Sequence, residues 1–251
     1  MIRLLLCLFC LGALPAGAAG PPNALEINQR LGAPLPLELG LVDESGRGVR
    51  LGDLLAGRPA VIVLGYFQCP NLCSTLLDGV LEALVQAELP ASRYSLVAVS
   101  IDPREGPAEA RQRRDAYRPI LAPGVSAHFL TGSGEAVAHL SRDAGFPYAW
   151  DPALGQYIHP AGFLVATPDG RIARYFTGVR FAPREVRLAL EEAAAGRVGT
   201  LADRLLLLCS HYDPATGRYS GVVMGLVRAV CLGIALGLGA WIWRRRSGRG
   251  A

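Results

Sequence analysis

The chain has no lysine. All 25 basic residues among its 251 are arginines, which excludes covalent chemistry through a lysine Schiff base. It also lacks a strong excess of either charge. The net charge is +4, but Arg3 and the tail residues Arg244, Arg245, Arg246 and Arg249 carry five positive charges, which leaves −1 for the remainder. Neither a basic nucleic-acid-binding surface nor an acidic one is implied, so nucleic acid is not an expected partner. There are no internal repeats. The one compositionally biased stretch is a Pro/Gly/Ala-rich segment over 19–35.

Apolar residues, by contrast, are plentiful at 51% and crowd both ends. "MIRLLLCLFCLGALPAGAAG" reads as a secretory signal, with Arg3 as the positive start, Leu4 to Leu14 as the apolar stretch and Ala16-Gly17-Ala18 as the cleavage site. Neither Cys7 nor Cys10 follows the small residue that a lipoprotein signal needs, so both leave with the peptide. At the other end, Met224 to Trp243 is apolar all round and long enough to cross ~30 Å of hydrocarbon. Arg228 can snorkel outward from its first turns. Trp241 and Trp243 suit an interface, and the arginines behind them suit a cytoplasmic flank. The expected protein is single-pass in a bacterial inner membrane, with its functional domain in the periplasm.

Between these ends the pattern alternates strands and helices. "LPLELGLVDESGRGVRLGDLLAG" reads as a hairpin followed by a Gly-Asp turn. The run 59–67 is continuously apolar and β-branched, as a buried central strand should be, and 94–102 is a second such strand. A long helix starts near Pro70, with Leu72, Leu76, Leu77, Val80 and Leu84 at helical spacing. Then follow a polar arginine-bearing helix over 106–118, a short strand in "SAHFLTG", a helix closed by Gly145, a hairpin turned by "PDG" and an amphipathic helix over 182–196. The fold class expected is α/β, one sheet with helices on both faces, plus one C-terminal transmembrane helix.

Chemistry concentrates where the first buried strand meets the first long helix, in "GYFQCPNLCST" (65–75). Cys69 and Cys73 are four apart, so both can lie on one helical face at ~5–6 Å. A helix start offers unpaired N–H groups and partial positive charge, which favours thiolate, and thiolate is both nucleophile and metal ligand. In an oxidising compartment a free pair would tend to close into a disulfide. Several alternatives lack a residue they need. Covalent haem would need a His after Cys73, where Ser74 stands. A thiol peroxidase would place Thr three residues before its Cys, where Tyr66 and Pro70 stand. Zinc wants four ligands, and only three good candidates are present. Redox dithiols usually enclose two residues rather than three. Copper(I) accepts two soft thiolates at low coordination number.

His159, in "QYIHPAGFLVATPDG", is the candidate third ligand. The order strand, Cys motif, helix, strand, then X-Pro before a hairpin and a last helix resembles the thioredoxin superfamily. The resemblance implies a cis X-Pro bond that sets His159 beside Cys69 and Cys73. More narrowly, Cys69-Pro70-x-x-Cys73 after "GYFQ", the "SIDP" strand end at Ser100 to Pro103, and His159 resemble the Sco/SenC family of copper chaperones over about residues 34–197. That resemblance implies Cys69, Cys73 and His159 as copper ligands and a Cys69–Cys73 disulfide when oxidised. The acceptor implied is the copper-bearing Cu-A subunit of cytochrome c oxidase, with other periplasmic copper carriers or thiol reductants as further partners. A thiol–disulfide oxidoreductase acting on the oxidase cysteines is the alternative. The layout expected is a signal peptide at 1–18, linker at 19–33, thioredoxin-like copper-binding domain at 34–197, juxtamembrane segment at 198–220, transmembrane helix at 221–243 and cytoplasmic tail at 244–251.

Two departures stand out. Ile158 occupies a position often acidic in the family, and members are often anchored N-terminally. His128 and His139 read as structural or exposed. Cys209 and His211, just outside the membrane helix, could hold or relay a metal, or could belong to an ordinary juxtamembrane segment with Tyr212 and Tyr219 at the interface.

Overall fold

The computed structural model describes residues 25–68 and 72–199, apart from the side chains of 72–74, together with the short strands at 212–213 and 218–219. The expected signal peptide and transmembrane helix lie outside these residues. Among the described residues no helix is long and apolar enough to cross a membrane.

The core is one five-stranded sheet in the order β5-β4-β3-β8-β9. Its centre is β3 (Ala60–Gly65), parallel to β4 (Ser95–Ser100) and antiparallel to β8 (Gly162–Ala166). β5 (Ser126–Leu130) and β9 (Ile172–Thr177) complete the edges. Every residue of β4 and β8 is buried, which is why their sequences are apolar without alternation.

Alternate side chains of these strands feed two cores. Val61, Val63, Leu96, Ala98, Phe129, Phe163 and Val165 pack with α2 (Leu72–Gln86), α3 (Pro107–Tyr117) and α5 (Pro183–Ala194). Ile62, Leu64, Val97, Val99, Leu130 and Leu164 pack with α1 (Leu51–Leu55) and α4 (Gly134–Asp143) on the other face. Helices therefore cover both faces, as the alternating pattern predicts.

The hairpin at the start forms as β1 (Gly40–Val42) and β2 (Gly48–Arg50) around the "DESGR" turn. The Gly-Asp turn expected next is instead the helix α1, because Leu51, Leu54 and Leu55 all find the second core. A further hairpin, β6 (Ala149–Asp151) with β7 (Gln156–Ile158), was not expected from the sequence. In the C-terminal unit, β10 (Tyr212–Asp213) pairs antiparallel with β11 (Arg218–Tyr219), setting Tyr212 opposite Tyr219.

Candidate metal and thiol site

The site grows from the end of β3. After Gly65 the chain emerges with Tyr66 and Phe67 on opposite sides of the sheet. Tyr66 joins the α1/α4 core and Phe67 the α2/α3/α5 core, where its ring lies 5.9 Å from Phe129. Gln68 is exposed, and Cys69 follows. Cys69 lies outside the described residues. Cys73 falls in the first turn of α2, with its side chain likewise undescribed.

A residue not singled out in the sequence holds this exit in place. Glu105 is buried in the loop between β4 and α3. Its two carboxylate oxygens accept the backbone N–H of Phe67 at 2.7 Å and of Gln68 at 2.6 Å, and the Ser100 hydroxyl donates to it as well. The two residues before Cys69 are thus tied to a loop 37 and 38 positions further on. A carboxylate that accepts several N–H and O–H donors can be buried at tolerable cost.

The same loop reaches the hairpin β6–β7. Arg104 grips Asp102 through Nε and Nη2 at 2.6 to 3.1 Å. Burial alone would raise the Asp102 pKa, but the side-chain and backbone hydrogen bonds from Arg104 outweigh it and hold the carboxyl below its usual range. The Arg104 guanidinium then lies 4.6 Å from the Trp150 ring and 5.8 Å from that of Tyr157.

His159 arrives from the opposite direction. β8 pairs with β3 in a register that sets Phe163 opposite Val63. That pairing ends at Phe163, four residues after His159, and the chain before it brings the histidine to the exit of β3. The ring meets Tyr66 edge to face, 6.0 Å between centroids, and Tyr66 meets Tyr157 in the same manner at 6.4 Å. Nδ1 lies 3.0 Å from the Pro160 carbonyl oxygen. A carbonyl can only accept, so Nδ1–H donates and Nε2 is the unprotonated nitrogen of the neutral ring. Burial lowers the His159 pKa against the opposing pull of the Pro160 carbonyl, which favours the neutral, metal-ligating form.

One expectation fails here. The family resemblance implies a cis bond before Pro160, but there is no cis peptide among the described residues, and the His159–Pro160 bond is trans. The histidine meets Tyr66 with that bond trans. Among the described residues, no three His, Cys, Asp or Glu side chains converge on a point where a metal could sit.

The other histidines are accounted for locally. His128 Nε2 lies 2.9 Å from the Ser126 hydroxyl, and His139 pairs with Asp143 one helical turn on at 3.1 Å. Cys209 and His211 lie outside the described residues. Ile158, where the family is often acidic, pairs with Ala149 in β6–β7. The signal for that hairpin was present in "YAWDPALGQYI", where aromatic stretches flank an Asp-Pro…Gly turn.

The SCO1/SenC family pattern matches residues 30–195, well over half of the chain. The chain belongs to this family. It is 27% identical over 153 residues to the mitochondrial protein SCO2 homolog of Bos taurus, covering 58% of this chain and 54% of that protein. The chain thus spans about half the length of that curated relative. Among solved structures, Bradyrhizobium japonicum ScoI with copper bound is 25% identical, with a TM-score of 0.52 over 65% of this chain and 99% of that one. BsSco, described with a disulfide switch and as a member of the Sco family of cytochrome c oxidase assembly proteins, is 20% identical, with a TM-score of 0.52 over 66% of this chain and 99% of that one. The mixed five-stranded sheet with helices on both faces is the thioredoxin-like fold of this family.

Proposed function

We propose that the protein is a copper-binding assembly factor. Reduced Cys69 and Cys73, with His159, take up one copper ion and pass it to the Cu-A site of cytochrome c oxidase. The observation that carries this reading is the His159 ring, its Nδ1 on the Pro160 carbonyl, packed against Tyr66, three residues before Cys69. The copper bound to B. japonicum ScoI and the assembly role named for the Sco family support it. Copper(I) displaces a proton from each thiol, so uptake releases protons. Two thiolates and one imidazole leave a low-coordinate ion that an acceptor thiolate can attack, and transfer proceeds by stepwise ligand exchange.

Oxidation of Cys69 and Cys73 to a disulfide removes both thiolates and switches uptake off. The disulfide switch of BsSco favours keeping the second reading, thiol–disulfide exchange with the oxidase cysteines. The domain works in the periplasm of a bacterial inner membrane, exported by residues 1–18 and held by a helix over 221–243.

A Cu(I) competition titration of the reduced protein tests this. One tight equivalent is expected, and it is expected to vanish in Cys69→Ser/Cys73→Ser. Binding that survives removal of both cysteines contradicts the reading. If copper binding is weak while the Cys69–Cys73 pair turns over a mixed disulfide without metal, the oxidoreductase reading takes its place.

A further inference from the structure

Beside the candidate site, on the far side of Tyr157, lies an open cleft of about 520 Å³. One wall is aromatic, built from Tyr148, Trp150 and Tyr157, whose rings stand edge to face at 5.1 and 5.7 Å. Arg30, from the segment before β1, and Arg142, in the last turn of α4, complete the lining and are both exposed. Neither forms an ion pair or a side-chain hydrogen bond among the described residues. Of the carboxylates nearby, Glu26, four residues before Arg30, is exposed and forms no ion pair with it, and the others have partners of their own. Asp143 pairs with His139, Asp151 accepts the N–H groups of Ala153 and Leu154, and Asp102 holds Arg104. Two cations without an ion pair among the described residues thus line a cleft with one aromatic wall, in a chain that is close to neutral apart from its ends.

Two features point to a protein occupant. Trp150, in the lining, is 42% exposed, so the cleft offers apolar area that a simple anion would leave in water. Tyr157 also belongs to both places, lining the cleft and packing on Tyr66, which packs on His159.

We propose that this cleft docks an acidic segment of a partner protein, its carboxylates meeting Arg30 and Arg142 and an apolar side chain resting on Trp150. The position of the cleft next to His159 rests on the copper-transfer reading for its purpose, but the cleft itself does not depend on copper. A segment bound there holds the partner within reach of the thiol and imidazole ligands. The charge pairs mainly steer the encounter, and the aromatic contact slows departure.

The test uses the reduced, copper-free full-length protein in detergent. The probe is a fluorescein-labelled glutamate-rich peptide carrying a leucine and a phenylalanine, read by anisotropy beside its all-glutamine analogue. Wild type is expected to prefer the acidic peptide. Arg30→Gln/Arg142→Gln is expected to weaken it about tenfold or more, the effect of losing roughly 1.4 kcal/mol, and Trp150→Ala to weaken both peptides. Equal binding in wild type and the double arginine variant overturns the proposal, because the probe then reads the tail arginines alone. Glycerol phosphate, the headgroup chemistry of an anionic lipid, is the competitor. If it displaces the probe more effectively than unlabelled acidic peptide does, the surface is a lipid site and the proposal fails. The Cu(I) titration of the same double variant separates the two readings. Copper uptake with lost peptide binding supports the cleft, whereas peptide binding without copper uptake in wild type contradicts the copper reading only.

Discussion

Asp43 and Glu105 are both carboxylates buried in loops, 3% and 8% exposed, and each accepts two backbone N–H groups. Their partners differ. Asp43 bonds Ser45 and Arg47, two and four residues on, within the β1–β2 turn. Arg47 adds a cation at 2.9 Å, but it is 80% exposed, so the pair itself is worth little. Glu105 bonds Phe67 and Gln68, far back in the chain, with no guanidinium among its hydrogen-bond donors in the described residues. Asp43 therefore organises its own turn. Glu105 joins two loops that the sheet brings together, and one of them leads into Cys69. The same chemistry serves local shape in one place and the placement of a functional motif in the other.

The comparison predicts that changes at the site end cost more and reach the metal, whereas changes at the turn cost less and do not. The largest effect is expected at Gly79 in α2, the helix that carries Cys73. A Cβ there would lie 2.0 Å from the Val179 carbonyl oxygen, which is backbone and cannot swing aside. Gly79→Ala is expected to cost about 3 kcal/mol in urea unfolding, as overpacking against fixed atoms does, and to weaken Cu(I) binding as the helix shifts. Unchanged stability would show that the 179–181 segment yields freely.

Next comes Glu105→Gln, which turns one acceptor oxygen into a donor facing a buried N–H. A loss of about 2 kcal/mol is expected, the cost of an unsatisfied buried group. Cu(I) affinity is expected to fall with it. If stability drops while affinity holds, Glu105 supports the fold alone and the contrast with Asp43 collapses.

The smallest effect is expected for Asp43→Asn, about 1 kcal/mol at neutral pH with copper affinity unchanged. Burial would raise the Asp43 pKa, but hydrogen bonds from Ser45 and Arg47 overcome it and push it far below the usual carboxylate range. A depressed pKa contributes stability above the unfolded value of ~3.9 and loses it as pH falls below that value. Wild type is therefore expected to lose stability below about pH 4 by an increment that Asp43→Asn lacks, read from urea midpoints across pH. Parallel curves for the two proteins would contradict the role given to Asp43.

Much of this could be read from the sequence, and the rest could not, for a single reason. The buried strands β3 and β4, the helix from Leu72 and the hairpin around "PDG" declare themselves because each is fixed by its own composition over a few residues. Asp43 belongs to that class, since its partners are its neighbours. Glu105 does not, because its partners lie 37 and 38 residues away and only the parallel pairing of β3 with β4 brings them near. The helix α1 was hidden because Gly52 and Asp53 read as a turn until Leu51, Leu54 and Leu55 find a core. The place of His159 against Tyr66 was not legible, since the bond to Pro160 is trans rather than the cis bond that the resemblance implies.

The most direct test of the account is the Cu(I) affinity of reduced His159→Ala measured beside wild type by competition titration. The variant is expected still to take one equivalent through Cys69 and Cys73, but about tenfold or more weaker, as loss of one ligand contact worth roughly 1.4 kcal/mol or more requires. Equal affinity in the two proteins would contradict it, and would leave a dithiol at a helix start whose partner in chemistry is not His159.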